Sequence, residues 1–141
     1  MGEIPLGEVL FLREAVLGAP VELALPAQRN MMLVLRLTTA GVVARAGLTV
    51  DRMDDVKLAV EEACSCLIRE DGGPQLLRLR FTEADGALHI AVCSEGGSPA
   101  PIGEDDREVV RCILESLVDG VELRMDGAAV TGVELRVALG A

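Results

Sequence analysis

Two pairs of alternating strands, three helix-periodic stretches and their order along the chain predict an α+β two-layer sandwich. In it a mixed, mainly antiparallel sheet carries helices on one face. The order is β-α-α-β-β-α-β-β, and the polar positions of the strands (Arg78, Arg80, Glu122, Arg124, Glu134, Arg136) all alternate with aliphatic ones. Such alternation belongs to a sheet with one packed and one wet face.

Residues 1–20 form a leader ahead of a domain over 21–141, and within it residues 7–13 fit a short helix or a strand equally well. Val21 to Leu25 alternate with period two and stop at Pro26, as a strand does. From Gln28 to Ala46 apolar residues are dense (Met31, Met32, Leu33, Leu35, Val42, Val43), and Gly47 supplies a helix stop. Thr49 or Asp51 then caps a second helix, with Asp51, Asp54 and Asp55 near its positive end. Met53, Val56, Val60, Cys64 and Leu67 share one face of it, and Asp71-Gly72-Gly73-Pro74 closes it.

Leu77, Leu79 and Phe81 alternate with Arg78, Arg80 and Thr82 before the turn Ala84-Asp85-Gly86-Ala87, and residues 88–92 return as the partner strand. A loop from Ser94 through Pro101 leads to a helix carrying Val109, Val110, Ile113, Leu114, Leu117 and Val118, with Gly120 just past its end. Residues 121–125 and 133–137 form a second alternating pair around Asp126-Gly127, and no internal repeat or linker interrupts the series. Met31, Leu35, Val56, Val60, Val92, Ile113 and Leu117 are the expected core.

A chain of 141 residues is one domain, and a domain of this size buries about 68–70% of its unfolded surface. With two Phe and no Trp or Tyr, the core is aliphatic and base stacking has no platform. The net charge of −10 opposes binding to a phosphate backbone, so no nucleic-acid partner is expected. An acidic surface suits solubility or a basic protein partner. No apolar run reaches the ~20 residues of a membrane span, and the start lacks a signal-peptide pattern, which places the protein in the cytoplasm. Cys64, Cys66, Cys93 and Cys112 show no CxxC spacing and are expected to be reduced and mostly buried. No metal site is expected. His89 is the only histidine and sits at a surface position of a strand.

Residues 22–68 resemble the first half of the anti-sigma-factor serine kinases of the GHKL, or histidine-kinase-like, ATPase superfamily. The resemblance runs through Leu25-Pro26-Ala27-Gln28, Arg36-Leu37-Thr38 with Gly41, and Asp54 to Cys64. The element order matches that fold over nearly the whole chain after the leader. In the family a Glu on the second helix acts as general base, and an Asn four residues later holds Mg²⁺. The Glu position is Glu62, which apart from the resemblance is an ordinary solvated carboxylate. The Asn position is Cys66, a soft thiol where a hard cation wants oxygen.

The family's adenine motif, Asp-x-Gly, corresponds to Ser94-Glu95-Gly96, and a one-residue shift would offer Glu95 as the acid. Serine lacks the charge that strengthens a hydrogen bond to the adenine amino group. The family's phosphate-binding Gly-x-Gly falls on Glu108 and Val110, and Glu104, Asp105, Asp106 and Glu108 crowd that helix start. Each carboxylate near a phosphate costs on the order of 1 kcal/mol even at the dielectric of water. The short connection over 97–106, stiffened by Pro99 and Pro101, stands where the family has a mobile ATP lid, so the lid is shortened or absent.

The resemblance therefore implies an anti-sigma-factor-like regulatory protein that works by protein–protein binding. Its partner would be a sigma factor or an anti-anti-sigma protein, with ATP binding lost and no cofactor. If the site were active, it would take ATP and Mg²⁺ and phosphorylate an anti-anti-sigma protein on serine. A homo-oligomeric scaffold or a small-ligand-binding domain is the third reading. The surplus of apolar residues on the first helix also predicts a homodimer through that helix or the leader.

Overall fold

The computed structural model describes residues 5–9, 19–69, 73, 75–97 and 101–140. Five strands form one sheet: β1 (Val21–Pro26), β2 (Gln75–Ala84), β3 (Ala87–Gly96), β4 (Gly120–Asp126) and β5 (Ala129–Ala138). Three helices, α1 (Met32–Arg45), α2 (Val50–Leu67) and α3 (Glu104–Glu115), complete the fold. The spatial order is β1-β2-β3-β5-β4. Every described neighbour pair is antiparallel, so the sheet is not mixed.

Local chemistry explains the boundaries. The β2–β3 turn needs two left-handed residues, and Asp85 (φ 53) and Gly86 (φ 72) supply them. The β4–β5 pair carries an extra residue, Thr131, at the register shift beside Arg124 and Met125. Thr49 caps α2 by accepting from the Arg52 N–H at 3.3 Å. The expected first helix splits: Arg29–Met31 is a 3₁₀ turn and the α-helix begins at Met32, with no side-chain cap at the junction. Gly47, at φ 81, takes the left-handed stop after α1. Residues 6–9 make one helical turn, and the rest of the 7–13 segment lies outside the described residues.

Leu25, Leu77, Leu79, Phe81, Leu88, Ile90, Val92, Val133, Leu135 and Val137 line the packed sheet face. They meet Leu35 and Val43 of α1, Val56, Ala59, Val60, Ala63, Cys64 and Leu67 of α2, and Leu114 of α3. Of the expected core, Leu35, Val56, Val60 and Val92 are fully buried, and Met31 and Leu117 pack partly buried against it. Ile113 is the exception, 38% exposed, because its neighbour Leu114 occupies the inward position of α3. The cysteine expectation also fails in part: Cys64 is buried and Cys66 half-buried, but Cys93 and Cys112 are exposed, and all four are free.

The opposite sheet face carries Arg78, Arg80, His89, Cys93, Glu122, Arg124 and Arg136, all exposed. The sequence does contain one short repeat: Gly-Val-Glu-Leu-Arg occurs at 120–124 and again at 132–136. The hairpin register lays the two copies against each other, with Gly120 opposite Arg136 and Arg124 opposite Gly132. No helix among the described residues is long and apolar enough to cross a membrane.

Candidate functional site

Of the positions picked out by sequence, Cys66, Ser94 and Gly96 come together where the C-terminal end of α2 meets the end of β3, and Glu62, Glu95, Glu108 and Val110 do not join them. Cys66 and Leu67 come from α2, Arg69 follows it, Gln75 opens β2, and Ser94 and Gly96 close β3. Ile102 and Val130 complete the lining of a cavity of about 30 Å³. Ligand pockets usually measure ~300–1,000 Å³, so this one is roughly a tenth of the smallest.

Gln75 and Ile102, which the sequence did not single out, tie together the elements around it. The Gln75 side chain accepts from the Arg69 N–H at 2.9 Å and donates to the Leu67 carbonyl, fastening the end of α2 to the first residue of β2. The Ile102 N–H donates to the Ala128 carbonyl at 2.9 Å, and Pro101 bridges to Ala129. Those contacts anchor Pro101 and Ile102, just ahead of α3, on the β4–β5 turn. Only residues 97–103 lie between the two elements. The sequence signal for these residues is weak, since an anchoring Gln or Ile looks like any other.

Ser94 stands opposite Leu77, on the packed face. Glu95 projects to the other side of the sheet, where its carboxylate receives the Arg78 guanidinium at 2.6 Å. The one-residue shift that would offer Glu95 to this cavity therefore points its carboxylate to the wrong face. Gly96 remains at the lining with φ 76.

The Cys66 thiol donates to the Ala63 carbonyl at 3.1 Å. Burial, and then the neighbouring Glu62 carboxylate, push its pKa up to about 11. A thiol held protonated is a poor ligand for any cation and a worse one for Mg²⁺. Glu62 is half-buried on α2 and is not among the described residues lining the cavity. Its neighbour Glu61 pairs with Arg36 of α1. Among the described residues no group of three or more His, Cys, Asp or Glu converges as a metal ion would require.

Helix α3 starts among the acids that crowd its beginning, ahead of the positions that correspond to the family's glycines. Gly103 is the N-cap and Glu104, Asp105 and Asp106 form the first turn, so Glu108 and Val110 lie inside the helix rather than at its opening. The N–H groups of an α-helix interior are directed at carbonyls four residues earlier. At residues 108 and 110 both the side chains and the committed N–H groups stand where free backbone donors were expected.

A packed helix pair over an antiparallel sheet, with a small cavity between the end of α2 and the end of β3, defines the class. The profile of the histidine kinase-like ATPase domain matches residues 25–136, and the chain belongs to that family. Among individual proteins it is similar to the serine-protein kinase RsbW of Bacillus subtilis (strain 168), 35% identical over 82 residues. That match covers 55% of this chain and 51% of that protein. RsbW of Bacillus pumilus (strain SAFR-032) is 32% identical over 83 residues, with the same coverage. The match thus spans about half the length of these relatives. The solved structure of the RsbU and RsbW domains of Rv1364c from Mycobacterium tuberculosis shares the fold, with a TM-score of 0.60 at 22% identity. It covers 85% of this chain and 32% of that one.

Proposed function

We propose that this domain is an anti-sigma-factor-like regulatory protein that acts by protein–protein binding and no longer holds ATP. The observation that carries the reading is the cavity of about 30 Å³ among Cys66, Ser94, Gly96, Ile102 and Val130. Its small size, far below that of pockets that usually hold small ligands, supports the loss of the purine. The protonated thiol at Cys66 and the helical interior at Glu108 and Val110 support the same conclusion for Mg²⁺ and for phosphates.

Binding to a protein needs none of these. Leu33 (62% exposed) and Leu37 (66% exposed) lie one turn apart on α1, with Leu58 of α2 also exposed. Apolar side chains left in water on two packed helices suit a partner surface. The partners proposed are a sigma factor or an anti-anti-sigma protein, in line with the resemblance to the anti-sigma serine kinases. Glu62 at the general-base position, together with relatives named as kinases, favours the competing reading of an active serine protein kinase.

Thermal melts with and without ATP–Mg²⁺ separate the two. A ligand at one hundred times its dissociation constant stabilises by ~2.7 kcal/mol, and the expected result is no shift. Isothermal titration giving a micromolar dissociation constant would promote the kinase reading. Cys66→Asn alone is expected not to restore binding, because the closed cavity and the helical residues 108 and 110 remain.

A further inference from the structure

The wet face of the sheet carries a groove of about 370 Å³. That lies within the ~300–1,000 Å³ of small-ligand pockets, unlike the cavity on the packed side. Arg80, His89, Ala91, Glu122, Glu134 and Arg136 line it. The strand registers set Arg80, Ala91, Glu134 and Glu122 side by side in one row across β2, β3, β5 and β4. Ala91 is the small residue of that row, with a base on one side of it and two acids on the other. In the neighbouring row His89 lies opposite Arg136, and Arg136 opposite Gly120. A Cβ at Gly120 would come within 3.2 Å of Arg136 Nε, so the glycine leaves the space in which that side chain lies.

The charges of this face are not equally satisfied. Arg78 meets Glu95 at 2.6 Å and Arg124 meets Glu134 at 2.8 Å, and neither arginine lines the groove. The two arginines that do line it have no carboxylate within hydrogen-bond distance among the described residues. Arg80 stands 3.8 Å from Glu22, and Arg136 donates at 3.3 Å to the neutral carbonyl of Asp119. At the β4 end Glu134 is taken up by Arg124, while Glu122 has no hydrogen bond or ion pair among the described residues.

We propose that this groove binds a short peptide as a zwitterion, with its terminal carboxylate at Arg80 and its terminal ammonium at Glu122. An open base at one end of a row and an open acid at the other match a ligand of the same polarity. A simple anion would leave Glu122 unanswered, and a chain of net charge −10 repels it at a distance. A zwitterion has no net charge to repel. Strands lie ~4.8 Å apart, so Arg80 and Glu122, three strands apart in their row, stand roughly 14 Å from each other at the backbone. The two side chains span part of that distance and the ligand spans the rest. A single amino acid, with both charges on one carbon, is too short, whereas three extended residues reach ~10 Å. Arg136 flanks the middle of this span, and its guanidinium has N–H donors to spare for a peptide carbonyl.

The test is an NMR titration of the full chain with triglycine. Binding tighter than about 1 mM is expected, with shifts centred on the amides of Ala91 and Glu122. N-acetyltriglycine lacks the ammonium and triglycine amide lacks the carboxylate. Each is expected to bind about tenfold more weakly, the lower end of what a hydrogen bond to a charged group supplies. Arg80→Gln should erase the preference for triglycine over its amide, and Glu122→Gln the preference over its acetylated form. Arg78→Gln, outside the groove, should change neither. All three side chains are exposed, and the spectrum of each variant reports directly that the fold is kept. Failure of triglycine to bind would overturn the proposal, as would blocked peptides that bind as tightly or shifts confined to another part of the molecule.

Discussion

Helix α3 offers a sharp test of the structure, because two adjacent aliphatic residues on it sit in opposite environments. Leu114 is fully buried among the residues of the packed sheet face, whereas Ile113 is 38% exposed. Leu114→Ala removes buried carbons and leaves a cavity that rigid neighbours fill only in part. Such changes cost about 2–5 kcal/mol. With a urea slope of ~1–3 kcal/mol per molar, a loss of about 3 kcal/mol moves the unfolding midpoint by roughly 1–3 M. Ile113→Ala gives up only partial burial and gains helix propensity of a few tenths of a kcal/mol, so its net cost should stay below about 1 kcal/mol. Urea denaturation followed by circular dichroism reads both. Equal losses, or a larger one at Ile113, would mean that α3 is rotated from its described phase.

Two more outcomes follow from the titrating groups. The Asp119 carboxyl is held below its ordinary value of 3.8 by the Ala138 N–H first and, against a desolvation cost, by Arg52. A carboxyl lowered by folding contributes stability above its unfolded pKa and loses it as pH falls through the folded one. Asp119→Asn should therefore lower the melting temperature at pH 7, with the gap to wild type closing as acid titrates the carboxylate; a gap that widens in acid would contradict the assignment. Among the thiols, Cys93 and Cys112 should react quickly with an alkylating reagent in the native protein. Cys64, buried and pushed up to about 12, should react only on unfolding, and Cys66, at about 11, slowly. Mass spectrometry of partly labelled protein counts them, and early labelling at Cys64 would refute its burial.

Much of the fold was legible because period-two and period-3.6 patterns are local. The order of elements, the Asp85-Gly86 turn, the Thr49 cap and the wet sheet face with its arginines all follow from neighbours in sequence. What was not legible depends on distant parts of the chain. The insertion of β5 between β3 and β4 leaves no local mark. On α3 the apolar residues Val109, Val110, Ile113 and Leu114 fill two adjacent columns, and only contact with the sheet selects Leu114 over Ile113. The helix start was legible, since Glu104 to Asp106 are the acids that a helix N-terminus favours. At the site, Cys66 and Ser94 were identifiable by their resemblance positions. Gln75 and Ile102 were not, because their roles are backbone contacts made across the fold.

The short connection anchored by Pro101 and Ile102 bears on what kind of regulator this domain would be. A lid that opens and closes over a nucleotide lets a protein draw on chemical energy and change its affinity with time. A domain that holds no nucleotide, as proposed here, has no such input. Under the proposed function, partner occupancy would then follow mass action alone, set by the concentrations of the domain and its competing ligands. Any coupling between two partners would have to be reciprocal, each altering the affinity of the other by the same factor. Control over such a protein would lie in how much of it the cell makes and how much of each partner is present, so that it titrates a partner rather than times its release.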